Sequence, residues 1–426
     1  MAPRSPLRKA AAWAVLVLSA WAAVEALCQA ALFAVAALRG LPTPVSARFH
    51  LEAPVRRQLE RMLDGEPLYY ALDAELGWTV RPDGRLPLYR ANAQGLRADR
   101  VYAERPPPGT LRIAAFGDSF VHGSEVANED TWPARLERLR PDLEVLNFGV
   151  GGYGVDQAWL RWRREGQRFE PQLVLIGFMT EDIHRSVNRF RPFLSPQQPE
   201  PRAKPRFVLR DAGGLALLPN PLPTLDAYRA LVADEAAVLP RVGRGDAFYQ
   251  ALWRPTPLSI LPSLRLARFA RFALSPARTI VDGRFNPRSE AFEVTARVIE
   301  GFHAEVRAAG SLGVVLFLPT REDFERRRDR RGDAWAPLRE RLARDGIESL
   351  DAIDCFERPR FLRAVVFMKG GHYGPATNRV VARCLLEAFE ARGWLAHAQR
   401  DRDDVGASGR EGGPALPSAT EGRIRR

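Results

Sequence analysis

The stretch Leu111–Gly123, LRIAAFGDSFVHG, decides the architecture of this 426-residue chain. Its first six residues, Leu111–Phe116, form an apolar run of strand length that stops at a glycine. Leu143–Phe148 (LEVLNF) and Leu173–Phe178 (LVLIGF) repeat the pattern, the second as a continuous apolar run expected of a strand buried on both faces. Amphipathic helices are predicted between them. One covers about Trp132–Leu139, with Thr131 as N-cap and Pro133 in the first turn; the other covers about Val155–Arg168, opened by Asp156. Strands alternating with helices in this way predict an α/β fold with a parallel sheet covered by helices on both faces. The alternation resumes after residue 288. Ser289 caps a helix whose Phe292, Ala296, Ile299, Phe302, Val306 and Ala309 recur at helical spacing, and Gly310 ends it. Val314–Leu318 and Ile347–Ile353 read as strands, and Trp335–Ala343 and Thr377–Ala391 as helices.

Chemistry points to the end of the first strand. Parallel sheets bind ligands at the carboxyl ends of their strands, and Gly117-Asp118-Ser119 lies there. Gly117 allows a tight turn, Asp118 can brace the loop, and Ser119 heads a segment whose free N–H groups can face an oxyanion. A second glycine-rich loop, Asn147–Gly154 (NFGVGGYG), follows the second strand. A serine nucleophile needs a base, and histidine titrates in the right range. Of six histidines, His372 in Gly370–Pro375 (GGHYGP) is the candidate. His122 shares the tight segment of Ser119, His303 sits on the long helix, and His184 is a possible substrate contact.

Together GDSFVHG, NFGVGGYG, IGFMTEDI and GGHYGPATN resemble the four blocks of the SGNH/GDSL hydrolase superfamily, over about Arg112–Gly393. The preceding LGW and RANAQGLR resemble the leader of membrane-anchored bacterial members similar to alginate O-acetyltransferase-like proteins. The resemblance implies a flavodoxin-like sheet and ester chemistry, without a cofactor. It implies Ser119 as nucleophile and first oxyanion donor, Gly149 or Gly151 as second donor, and His372 as base. Two departures stand out. The family's third block usually presents an asparagine, where this chain has Thr180-Glu181-Asp182-Ile183. A neutral carboxyl group, Asn188 or two backbone donors would have to serve instead. The family often places aspartate three residues before its histidine, where this chain has Lys369; a backbone carbonyl, Asp351 or Asp354 could hold the imidazole. The expected activity is that of a serine esterase working through an acyl-enzyme. The alternatives are an O-acyltransferase acting on a cell-surface polysaccharide, and a catalytically attenuated binding or assembly module. The partners implied are an ester or acylated-glycan substrate and a membrane.

From Ala10 to Leu38 the only charged residue is Glu25, and Arg4, Arg8 and Lys9 precede this run. About 20 apolar residues cross a bilayer, and flanking positive charge favours a cytoplasmic N-terminus. The expected organisation is an anchor over 1–40, a leader over 41–108, an α/β domain over 109–396 with a proline-rich insertion at 191–288, and a disordered tail over 397–426. The insertion holds 14 of the 34 prolines and is the expected site of substrate recognition, with Arg185, Arg189 and Arg191 at its start. Within it, Phe207–Leu218 reads as a hairpin and Pro262–Leu274 as a helix carrying Arg265, Arg268 and Arg271, either solvated or against anionic lipid. The domain would lie in the periplasm or outside the cell, tethered to a bacterial inner membrane.

The composition, 46% hydrophobic and 27% charged, excludes a wholly disordered chain. The net charge of +12 invites a nucleic-acid partner, but the arginines are dispersed without a basic stripe, which argues against one. Cys355 and Cys384 could pair or remain separate buried thiols, and no cysteine–histidine spacing suggests a metal.

Overall fold

The computed structural model describes residues 6–39, 42–66, 68–211 and 213–395; the expected tail lies outside these. Five strands form the central sheet: β1 (Leu111–Phe116), β2 (Leu143–Asn147), β3 (Leu173–Phe178), β4 (Leu312–Phe317) and β5 (Ser349–Asp351). They run parallel in the order β5-β4-β3-β1-β2, the flavodoxin-like order whose switch point lies between the first and third strands. Strand periodicity divides the core in two. Ala114 and Phe116 of β1, Ile176 of β3 and Phe317 of β4 face one layer. Ile113, Ala115, Leu175 and Leu316 face the other.

The helices that position the site are α1 (Pro6–Arg39), α2 (Trp132–Leu139), α3 (Val155–Arg161), α4 (Pro262–Ala273), α5 (Glu290–Ala308) and α6 (Pro375–Ala391). Thr131 and Ser289 cap α2 and α5 as expected, each accepting a hydrogen bond from the third N–H on. Inward residues of α3 and α5 cover one sheet face, and those of α2 and α6 the other. The predicted helix at 155–168 keeps α-geometry only to Arg161, then widens over Trp162–Gly166 and tightens over Gln167–Phe169. The wider turn seats Gly166 against the Phe116 and Trp162 rings, where a Cβ would clash.

Before β1, an antiparallel hairpin of Tyr70–Asp73 and Gly77–Val80 packs on Val150 and Tyr153 of the glycine-rich loop. The insertion contains the expected hairpin, Arg206–Leu209 paired with Leu215–Leu218. Its helix α4 lies along α1. Arg265 is buried there, donating to Gln29 Oε1 at 2.6 Å, so it is not on a solvated face. Cys355 and Cys384 are joined in a disulfide, and Cys28 on α1 is free.

Candidate active site

β1 delivers Ser119. At Gly117 a Cβ would stand 2.6 Å from Val121 Cγ2 and 3.1 Å from the Gly177 carbonyl, so no larger residue fits the turn. Asp118 caps the single helical turn Ser119–His122, its Oδ1 accepting from Phe120 N–H at 2.8 Å. Ser119 is 8% exposed and opens on a cavity of about 970 Å³ that Gly151, Glu181, Arg191 and His372 also line. Among the described residues, the N–H groups of Ser119 and Gly151 have no acceptor. Two unspent donors on one cavity are what a developing oxyanion requires.

His372 arrives on the loop before α6. Its ring lies 5.3 Å, centroid to centroid, from that of Phe120, the neighbour of Ser119. Two bonds pin the loop: Asn378 Nδ2 donates to Tyr373 O at 3.0 Å, and Tyr373 OH donates to Pro319 O at 2.8 Å. Glu125 holds the imidazole. Its Oε2 lies 2.8 Å from His372 Nδ1 and accepts from His372 N–H at 3.1 Å, while Oε1 accepts from Gly370 N–H at 2.7 Å. Burial raises the Glu125 pKa, but the Gly370 N–H and His372 outweigh it and leave it below its ordinary value. An ionised Glu125 at Nδ1 selects the tautomer with a free Nε2, the atom needed to take a proton.

Several expected roles are corrected. Neither Asp351 nor Asp354 reaches His372: Asp351 Oδ2 accepts from Trp335 Nε1 at 2.9 Å and Arg339 Nη1 at 2.8 Å, and Asp354 pairs with Arg327. A backbone carbonyl does not hold the ring either, because Glu125 occupies Nδ1. Gly149 spends its N–H on Asn147 Oδ1 at 2.9 Å and abuts the backbone of Val121 and His122, so its glycine serves packing. Asp182 is buried behind the cavity, where Arg185 Nη1 bridges it to Asp118 at 2.9 and 3.2 Å. Burial and the Asp118 charge push the Asp182 pKa well up. Of the two third-block carboxylates, Glu181 is the one on the cavity wall. Burial opposes its charge, yet Arg185 and Arg191 hold its pKa down to about 2, so it is a carboxylate and no donor. Asn188 donates instead to Asp246 Oδ2 and Phe190 O, away from the cavity. Arg189 donates to the carbonyls of Arg244 and Pro219. Arg185 and Arg191 do line the cavity, paired with Glu181. His184 lines it too.

Residues 115–379 match the GDSL-like Lipase/Acylhydrolase family. The chain belongs to that family. Among curated proteins none matches it. Solved structures similar to it include a member of the lipolytic protein G-D-S-L family from Veillonella parvula, at 12% identity over 66% of this chain and 99% of that one, with a TM-score of 0.34. A GDSL-like lipase from Bacteroides thetaiotaomicron shares 11% identity over 68% and 93%, TM-score 0.33. An acetyl xylan esterase shares 9% over 65% and 99%, TM-score 0.34.

As a GDSL-family chain, this one is an ester-hydrolase-type protein, and sequence reasoning missed the carboxylate that holds His372. Glu125 lies six positions after Ser119, beyond a Gly123-Ser124 turn. Its φ of 68° is left-handed, a conformation rare for glutamate. No sequence signal marks it. The role of His122 was also hidden. It is fully buried, with Nε2 2.9 Å from Tyr69 OH and Nδ1 3.3 Å from Ser124 Oγ. Burial, then Arg97, drives its pKa well below 6.5, so it is a neutral strut beneath the GDSL turn.

Proposed function

We propose that the protein is a membrane-anchored, extracytoplasmic serine esterase. The observation that carries this is the convergence of Ser119, His372 held by Glu125, and two unspent backbone N–H groups on one cavity. His372 Nε2 takes the proton of Ser119 as Oγ attacks the ester carbonyl. The N–H groups of Ser119 and Gly151 stabilise the oxyanion, the alcohol leaves with the proton, and water releases the acyl group by the reverse route. Where the family's third block usually presents an asparagine, this cavity wall carries the Glu181 carboxylate. The site therefore works with one donor fewer, which costs about 10²–10³ in rate.

Tyr70, Tyr89, Glu181, Glu200 and Arg191 line the cavity. These polar and aromatic groups suit a short acyl ester on a hydroxyl-rich alcohol such as a glycan, rather than a long lipid chain. Transfer of the acyl group to a sugar hydroxyl would share the first half-reaction and differ only in the acceptor. The ionised Glu181 favours one further reading, a binding module that does not turn over. Purified full-length protein should hydrolyse nitrophenyl acetate at least about 10-fold faster than the dodecanoate, with the activity lost in Ser119→Ala and His372→Ala. A folded protein inert towards every ester would select the binding module.

For placement, α1 offers an apolar stretch over Leu7–Ala37. Arg4, Arg8 and Lys9 at its start favour a cytoplasmic N-terminus. The Cys355–Cys384 disulfide suits the oxidising side of the membrane.

A further inference from the structure

The apolar stretch of α1 is 31 residues long, more than the ~20 that cross a hydrocarbon core. Its surplus is bonded to the insertion. The Glu25 carboxylate accepts from the Ser263 N–H at 2.8 Å and from the Ser263 hydroxyl at 2.7 Å. Arg265 Nη2 donates to Gln29 Oε1 at 2.6 Å, and its Nη1 donates to the Pro44 carbonyl at 3.1 Å. The uncharged run Ala10–Val24 rises about 22 Å, and Arg8 and Lys9 just before it extend back to the inner surface, so Glu25 stands at the outer edge of a span ending there.

The same bonds set a direction. Ser263 pairs with Glu25 and Arg265 with Gln29, so both chains advance the same way and the residues before Ser263 lie towards Val24. There the turn Pro257–Ile260 presents Leu258 and Ile260, 59% and 71% exposed. Exposed apolar residues of this size ask for a partner. Between residues 247 and 281 the chain has five arginines and no acidic residue. Arg254 and Arg271 are exposed, and neither is in an ion pair among the described residues. The Arg268 guanidinium donates to Arg254 O at 2.6 Å beside them. Apolar side chains flanked by unpaired arginines match the edge of an anionic leaflet.

We propose that the Pro257–Ile260 turn is a membrane wedge. Leu258 and Ile260 enter the hydrocarbon edge, and Arg254, Arg268 and Arg271 meet lipid phosphates. With α1 it clamps the domain to the membrane at two points. The wedge rests on the anchoring stated under Proposed function, and the experiment separates the two.

Full-length Cys28→Ser protein carries an environment-sensitive dye at Ile260→Cys or, as control, at Leu217→Cys in the insertion hairpin. It is placed in vesicles of phosphatidylcholine and phosphatidylglycerol at about three to one, and flotation is checked first. The wedge predicts a blue-shifted dye at position 260, quenched by aqueous iodide at least about threefold less than the dye at 217. Arg254→Glu with Arg271→Glu should remove that protection. Equal quenching at both positions on a floating chain overturns the wedge and leaves the anchor standing. A chain that does not float overturns both.

Discussion

Glu125 holds a left-handed backbone, φ 68°, that glutamate rarely adopts. Such conformations cost about 1–3 kcal/mol and collect at functional positions. Its N–H donates to Tyr89 OH at 2.8 Å, which helps hold the conformation. Two substitutions separate backbone from carboxylate. Glu125→Gly relieves the strain, so thermal stability should hold or rise, while esterase kcat falls about 10²–10⁴-fold. Glu125→Gln keeps the shape but presents an amide to Nδ1, and should lose kcat on a similar scale with KM little changed. A Glu125→Gln enzyme of wild-type kcat would remove the residue from the mechanism. His122 makes a separate pH prediction. Its folded pKa lies below the usual 6.5, so the unfolded chain binds more protons below that pH. Stability is therefore lost as pH falls below about 6.5, by at most ~1.4 kcal/mol per pH unit for this group. Urea midpoints should decline less steeply from pH 6.5 to about 5 in His122→Gln than in wild type. At this scale the meeting of Ser119 and His372 on one cavity was legible from their motifs, one at a strand end and one ahead of the last helix. Glu125 was not, because a turn after the nucleophile decides where its carboxylate points.

Elements were read well where burial is two-sided. The expected strand Leu173–Phe178 matches β3 residue for residue, since a run buried on both faces has no register to mistake. β5 spans only Ser349–Asp351, shorter than the apolar pattern, because Asp351 Oδ1 accepts from Ile353 N–H and turns the chain. The cysteines could not be paired from spacing alone. The disulfide closes 29 residues and ties the segment after β5 to α6, enclosing the His372 loop. Chain-entropy arithmetic for a loop of that size gives about 3–4 kcal/mol. Reduction, or Cys355→Ala with Cys384→Ala, should lower unfolding free energy by about 2–4 kcal/mol and slow ester turnover through a looser His372. Unchanged chemical-denaturation midpoints after full reduction would contradict this.

Over the whole molecule, many of the dispersed arginines are engaged in the fold. Arg112, Arg185 and Arg206 are buried and pair with Glu144, Asp118 and Glu290. Sequence showed the charge but not its partners, which come from distant segments. The insertion was legible as a break in the α/β pattern, whereas its contacts with both α1 and the cavity follow from tertiary packing. Full-length protein should co-float with vesicles and resist alkaline extraction, as a single span implies. The most direct measurement is mass spectrometry of the full chain after treatment with a fluorophosphonate. One adduct on Ser119, formed fast in wild type, absent in Ser119→Ala and greatly slowed in His372→Ala and Glu125→Gln, is the expected result. A folded protein that takes no adduct, or takes it on another serine, would contradict Ser119 as the nucleophile.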